Sequence, residues 1–299
     1  NYNATRPHEQ ERRAALLREM FAQIGENCYI EPPLHANWGG RHVHFGSGVY
    51  ANFNLTLVDD AHIYVGDCVM FGPNVTVATA GHPIEPGLRR QAMQYNADVR
   101  IGSNVWVGAG AVILPGTILR GETAVGCGCT IGPNAVVRDC VIGDETEINA
   151  SQVNESTIGS RTHVGPFAYV RPGCAIGDDI KVGDFVEVKN SAIGDGTKIS
   201  HLTYVGDSDV GRKVNFGCGT VTTNYDGVKK YRCTIEDGAF IGCNTNLVAP
   251  VTVGAGSYIA AGATITKDVP ADALAVARAK QENKEGWAKR RRKLYGQEH

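Results

Sequence analysis

Proton transfer, nucleophilic attack and metal binding draw on few side-chain types, and this 299-residue chain has nine histidines and nine cysteines. A neutral imidazole held by its surroundings can take a proton from an attacking amine or hydroxyl. An anionic acceptor such as a sugar phosphate would call for several cations that the fold brings to one face. Metal chemistry is not expected. Cys127-Gly128-Cys129 is spaced too closely for a zinc knuckle, no His pair accompanies it, and the carboxylates do not cluster with His. An odd number of scattered cysteines predicts reduced thiols in a cytoplasmic protein. A formal net charge of −2 predicts no nucleic-acid partner. The basic run Lys289-Arg290-Arg291-Arg292-Lys293 is expected to be a solvated helix face, with a phosphate or partner contact as the alternative. No apolar run approaches the roughly 18 residues of a membrane span, so a soluble protein without a membrane partner is expected. The polar N-terminus, with Arg6 and Arg12, does not read as a signal peptide.

The elements that must position these groups follow from the glycines, 37 of 299 residues against a usual value near 7 %. They follow aliphatic residues at a period of six. Ile101, Val107, Ile113, Leu119, Val125, Ile131 and Val137 begin the longest unbroken series, and with slips of one residue it continues to Ile265. Six is too long for strand alternation and incommensurate with an α-helix, but it suits a coil of three short strands joined by turns. The aliphatic points inward and the next small residue turns the corner. A β-solenoid of about a dozen coils of about eighteen residues is therefore predicted from about Val43 to Val269. Residues 80–98 and 222–233 break the register and are expected to form loops on one side of the rod. An amphipathic helix from Thr5 to Ile24, stopped at Gly25, should cap the first coil, and Gln281 to Tyr295 should be a polar basic helix or tail at the other end. The glycines of Gly217-Cys218-Gly219-Thr220 fall in the six-residue register and are not a nucleotide loop.

The six-residue pattern resembles the hexapeptide repeat of left-handed parallel β-helices, and that resemblance implies the fold class: all-β, a left-handed solenoid with short terminal helices, packed as a homotrimer. Within it, two families are discernible. Residues 2–115 resemble the maltose/galactoside O-acetyltransferases in REMFAQIGEN (18–27), IEPPLHANWGG (30–40), YANFNLTLVDD (50–60), PNVTV (73–77), GHP (81–83) and IGSNVWVGAGAVILPG (101–116). From about Pro115 the chain instead resembles the acetyltransferase half of the bacterial bifunctional N-acetylglucosamine-1-phosphate uridyltransferase/glucosamine-1-phosphate acetyltransferase. The segments carrying this are PGTILRG (115–121), VGPFAYVRPG (164–173), VGDFVEVKNSAIGDGTK (182–198), HLTYVGDSDVG (201–211), TTNYDG (222–227), LVAPVTVG (247–254), IAAGATITKDVP (259–270) and KEGW (284–287). The uridylyl half has no counterpart in these residues. The two patterns agree over ILPGTIL (113–119), which reads as the seam of a fusion, engineered or a natural mosaic, with segments 1–115 and 116–299 sharing one continuous solenoid.

What the second resemblance implies is acetyl transfer from acetyl-CoA to the amine of glucosamine-1-phosphate. His201 would be the general base, with Asn224 and Tyr225 supporting the reacting centre. Arg171, Lys189, Tyr204, Asn215 and Lys230 would hold the sugar phosphate. Acetyl-CoA would lie past Cys218, Cys243, Ala261 and Arg278, with Cys243 expected to be a small buried residue in place of a small hydroxyl. The first resemblance implies a second site, for O-acetylation of a sugar hydroxyl, in which His82 is the base, Tyr50, Asn52 and Asp60 line the acceptor side and Trp106 lies near the thioester. In both families the sites lie between subunits of a trimer. A purely structural solenoid with little turnover is the non-enzymatic alternative.

Overall fold

The computed structural model describes residues 1–296. Three parallel sheets of 13, 12 and 13 short strands form the faces of a left-handed prism, and from Gln23–Ile24 to Thr264–Ile265 successive strands visit the faces in rotation, interrupted only by a hairpin within residues 80–98. The first face runs from Gln23–Ile24 to Thr264–Ile265, the second from Tyr29–Ile30 to Val251–Val253, and the third from Leu34–Ala36 to Leu274–Ala275. The period of six is the physical cause. Within Val99–Ile101 the two aliphatics are buried and Arg100 faces out, and Ile101, Leu119 and Val137 stack on one another in consecutive coils. These aliphatics form one uninterrupted apolar column, so every coil supplies the surface that its neighbour needs to cover.

The small residue after each aliphatic has a second job. At the corner between the second and third faces, the side-chain oxygens of Asp144, Asp178 and Asp195 accept the backbone N–H of Cys127, Ser160 and Asp178, each one coil earlier, and at the corner between the first and second faces Asp67 does so for Ser47. Ser103 and Ser160 do the same for Asp67 and Asp144. These turns would otherwise leave an amide without a ladder partner, so the recurring Gly-Asp and Gly-Ser pairs are capping devices. The ladder is unbroken at the change of resemblance: Ile113 pairs with both Val77 and Ile131, and Ile118 with both Arg100 and Val136.

Several expectations need correction. The solenoid starts at Gln23, not Val43, because Phe21 leaves the helix in extended conformation and packs edge-on against Phe45, 5.1 Å between centroids. Helix α1 is therefore Gln10–Met20, and Ile24 belongs to the first strand. It covers the first coil with Leu17, as expected of a cap. The two loops leave different corners. Residues 80–98, a short hairpin of Ala80–Gly81 with Tyr95–Asn96 carrying helix α2 (Pro86–Arg90), open the third-to-first corner, whereas 224–232 open the first-to-second. Any corner can be opened provided the chain re-enters in register, as Val99 does on Ile63 and Cys233 on Ser208. Helix α3, Trp287–Leu294, buries none of its residues and leaves Leu274 of the last coil exposed, so it is not a cap within one chain. Its basic side chains are solvated, and Arg291 lies over the rings of Trp287 and Tyr295.

Candidate active site

One coil separates Asp184 from His201, since Lys181–Asp184 pairs residue for residue with Lys198–His201. Both strands end at the third-to-first corner, where side chains stand out from the edge of the prism. His201 Nδ1 lies 2.7 Å from Asp184 Oδ1. That bond is the largest of the influences holding the Asp184 carboxyl below the usual carboxylate range. An ionised acceptor fixes the proton on Nδ1 and leaves Nε2 with a lone pair for an incoming donor. Asp184 escaped the sequence reading; its signal was the spacing of 17 residues, one coil, from His201.

The same corner carries the column proposed for the thioester. Leu202 accepts from Gly219, Cys218 from Asn244, and Cys243 from Gly262, which stacks His201, Cys218, Cys243 and Ala261 in consecutive coils. Gly262 lies against the Arg278 side chain in the next coil. The residues therefore line up, with Cys243 exposed and not buried as expected, because corner residues point away from the aliphatic column.

The cations collect at the opposite edge of the first face. Val170, Val188 and Val205 stack inward, so Arg171, Lys189 and Gly206 follow one another outside. Gly206 has no side chain, and the Tyr204 ring lies over it to meet Asn224 at 3.3 Å. Asp207 is the hub: its carboxylate takes hydrogen bonds from Asn190 and from the buried Asn224, and pairs with Lys189 at 3.4 Å. Burial works to raise the Asp207 pKa, but these donors and the Lys189 ammonium hold it below the usual range. Lys230, on the loop, lies close to Lys189, and the proximity of the two amines raises the Lys189 pKa and lowers that of Lys230. Two neighbouring amines, with Arg171 nearby paired to Glu187 at 2.9 Å, give this corner the charge to attract an anion. Asp207, Asn190 and Glu187 were also missed, though Asp207 follows Lys189 by the one-coil interval of 18.

Thus Arg171, Lys189, Tyr204, Asn224 and Lys230 meet, while the other predicted members stand apart. Asn215 sits on the third face between Lys198 and Phe240, and Tyr225 is exposed, its hydroxyl bonded to the Gly227 carbonyl at 2.6 Å. Among the described residues no hydrogen bond joins His201 to the cation cluster; the width of the first face lies between them. A hollow of about 530 Å³ beside Asp209 and Glu236 on the second face contains none of the candidates.

The second predicted site is more dispersed. His82 Nδ1 lies 2.9 Å from the Met93 carbonyl, and Asp60 binds Asn37, Trp38 and Gln94, so both belong to the 80–98 loop and its corner. Burial favours the neutral Asp60, but these three donors outweigh it and lower its pKa. Tyr50 and Trp106 lie instead on the second face, on either side of Met70, and Asn52 follows Tyr50 there, its side chain capping Phe53. No group of three or more His, Cys, Asp or Glu able to hold a metal occurs among the described residues, and no described helix is long and apolar enough to cross a membrane.

Residues 100–184 match the family of the GMPPB C-terminal domain, across the change of resemblance at 115, and residues 232–267 match the bacterial transferase hexapeptide (six repeats). The bifunctional protein GlmU of Geobacillus sp. (strain WCH70) is 54 % identical over 194 residues, 65 % of this chain and 42 % of that protein. GlmU of Brevibacillus brevis is 55 % identical over 188 residues, 63 % and 41 % of the two chains. The chain thus spans about two fifths of the length of these relatives. Among solved structures, a galactoside acetyltransferase in complex with coenzyme A is 42 % identical, covering 44 % of this chain and 64 % of that one with a TM-score of 0.42. A maltose O-acetyltransferase from Clostridium difficile 630 is 35 % identical, with coverages of 43 % and 68 % and a TM-score of 0.42.

Proposed function

We propose that the protein is an acetyl-CoA-dependent acyltransferase that N-acetylates glucosamine-1-phosphate, with His201 as general base. The observation that carries this reading is the Asp184-held imidazole standing in the same corner column as Cys218, Cys243, Ala261 and Arg278. His201 Nε2 takes the proton of the sugar amine as its nitrogen attacks the thioester carbonyl; the tetrahedral intermediate then collapses and the CoA thiolate departs. Arg171, Lys189 and Lys230 receive the phosphate, and Tyr204 and Asn224 hold the loop that carries Lys230. The GlmU relatives support the same substrate class. The reading includes a cytoplasmic location and no metal.

It also includes a homotrimer. His201 and the cation cluster occupy opposite edges of the first face, and Asn215 a different face, so a neighbouring prism must bring one set to the other. The continuous ladder through 113–119 is compatible with two acyltransferase segments, 1–115 and 116–299, fused in one rod.

Release of CoA thiol with glucosamine-1-phosphate tests the activity. Turnover that His201→Ala lowers by roughly 10²–10⁴-fold supports the reading, and an active wild type unaffected by that change overturns it. Sedimentation analysis tests the trimer. A second reading, sugar O-acetylation at His82, is favoured by the Nδ1 contact to Met93 that leaves Nε2 available. It requires turnover of a maltose- or galactoside-type acceptor that His82→Ala abolishes. A stable trimer that turns over neither acceptor would leave the structural rod.

A further inference from the structure

All nine cysteines are free, and Cys129, Cys140, Cys174 and Cys233 are buried in the solenoid. Cys218 and Cys243 are distinguished by stacking on each other. Asn215–Phe216 pairs with Phe240–Ile241, and the ladder continues past both strands, with the Asn244 N–H donating to the Cys218 carbonyl at 2.8 Å. Cys243 is therefore set over Cys218. The glycines before them let the coils approach closely, as at the other corners of the solenoid: a Cβ on Gly217 would stand 2.5 Å from the Cys243 backbone nitrogen. Neighbouring rungs of a parallel ladder are about 4.8 Å apart, inside the Cα separation of about 4.4–6.8 Å that a disulfide spans. Both residues reach the surface, Cys218 half-buried and Cys243 exposed. Among the described residues no other two cysteines occupy equivalent positions of adjacent coils.

We propose that Cys218 and Cys243 form a reversible intrachain disulfide by exchange with a low-molecular-weight disulfide. The thiolate of one cysteine attacks a sulfur of the small disulfide, whose S–S bond breaks and releases one thiolate. The thiolate of the second cysteine then attacks the protein sulfur of the mixed disulfide and releases the other. Two protein thiols are oxidised, the small disulfide is reduced to two thiols, and the two protons given up by the cysteines pass to the departing sulfurs. The bond would lie one coil beyond His201, across the column assigned to acetyl-CoA. Its formation does not depend on the acyl-transfer reading; its effect on CoA rests on that reading.

The test uses the full chain, fully reduced, exposed to oxidised glutathione, quenched by alkylation and digested for mass spectrometry. The expected product is a Cys218–Cys243 cross-linked peptide two hydrogens lighter than the reduced pair. It should be absent from Cys218→Ser and Cys243→Ser, whose remaining cysteine should carry glutathione. Recovery of both cysteines alkylated under a large excess of oxidised glutathione, or their cross-linking to other cysteines, overturns the proposal. Saturating acetyl-CoA, whose acylated sulfur takes no part in the exchange, should slow formation of the bond at least tenfold. A rate unchanged by acetyl-CoA overturns the link to the groove, and thiol release by the reduced protein with glucosamine-1-phosphate tests the acyl-transfer reading separately.

Discussion

The Asp184 carboxylate and the His201 imidazole, 2.7 Å apart, are joined across one turn of the solenoid, not along a strand or loop. Asp184→Asn keeps the shape but removes the charge that favours the Nδ1-protonated tautomer. Under the proposed mechanism kcat for glucosamine-1-phosphate should fall by about 100-fold, the lower end of what a positioned base contributes, with KM little changed. Steady-state thiol release measures both. An equal loss confined to KM would mean that Asp184 acts on binding instead.

Gly183 permits that pairing. A Cβ there would meet the Ser200 carbonyl oxygen at 2.0 Å, and a backbone atom cannot swing aside. Gly183→Ala should push the two coils apart, lower Tm by several degrees and reduce turnover at least tenfold. Thermal unfolding alongside the thiol assay checks it, and a variant with unchanged Tm and turnover would refute the close-approach argument.

Asp207 predicts an acid-labile loop. Its folded pKa is lowered, so the stabilisation it provides is fully present above the ordinary Asp value of about 3.9 and is lost as pH falls through the lower folded value. Hydrogen exchange in residues 224–232 should therefore stay slow from neutrality to about pH 4 and rise below it. Asp207→Ala should open the same segment at neutral pH, visible as faster tryptic cleavage at Lys229 and Lys230.

Leu119 is fully buried and stacks between Ile101 and Val137, on the far side of the change of resemblance from Ile101. Leu119→Ala should cost about 2–5 kcal/mol, read from the urea midpoint. Loss of protection in coils on both sides of residue 115, by hydrogen exchange, is the expected signature of one continuous rod; loss on one side alone would argue for two units.

Lys230 lies close to Lys189, which lowers the Lys230 pKa, and a phosphate brought between the two amines would favour their charged forms. Lys230→Ala should raise KM for the sugar phosphate roughly tenfold and leave KM for acetyl-CoA unchanged.

The coil was legible because its cause is local: an aliphatic every sixth residue followed by a small one, from Ile101 to Val137 without interruption. The ends were less so. Ile24 continues the apolar spacing of α1, but Phe21 finds Phe45 only once the first coil exists, and that contact ends the helix. The residues of the candidate site could be nominated one at a time from motif likeness, but not their partners. Asp184 and Asp207 each follow a glycine and in sequence look like any other Gly-Asp corner of the repeat.

By itself, then, the amino-acid sequence determined a solenoid and its two loops, while motif likeness nominated the bases and cations of the candidate site. Tertiary structure decided which of these meet. Residues 17 or 18 apart become neighbours only when a coil closes, and whether a side chain ends at one corner or the next depends on single-residue slips in that closure. That geometry put His201 in line with Cys218 and Cys243, gathered Lys189, Asn224 and Lys230 around Asp207 at the other edge, and left Asn215 on a face of its own.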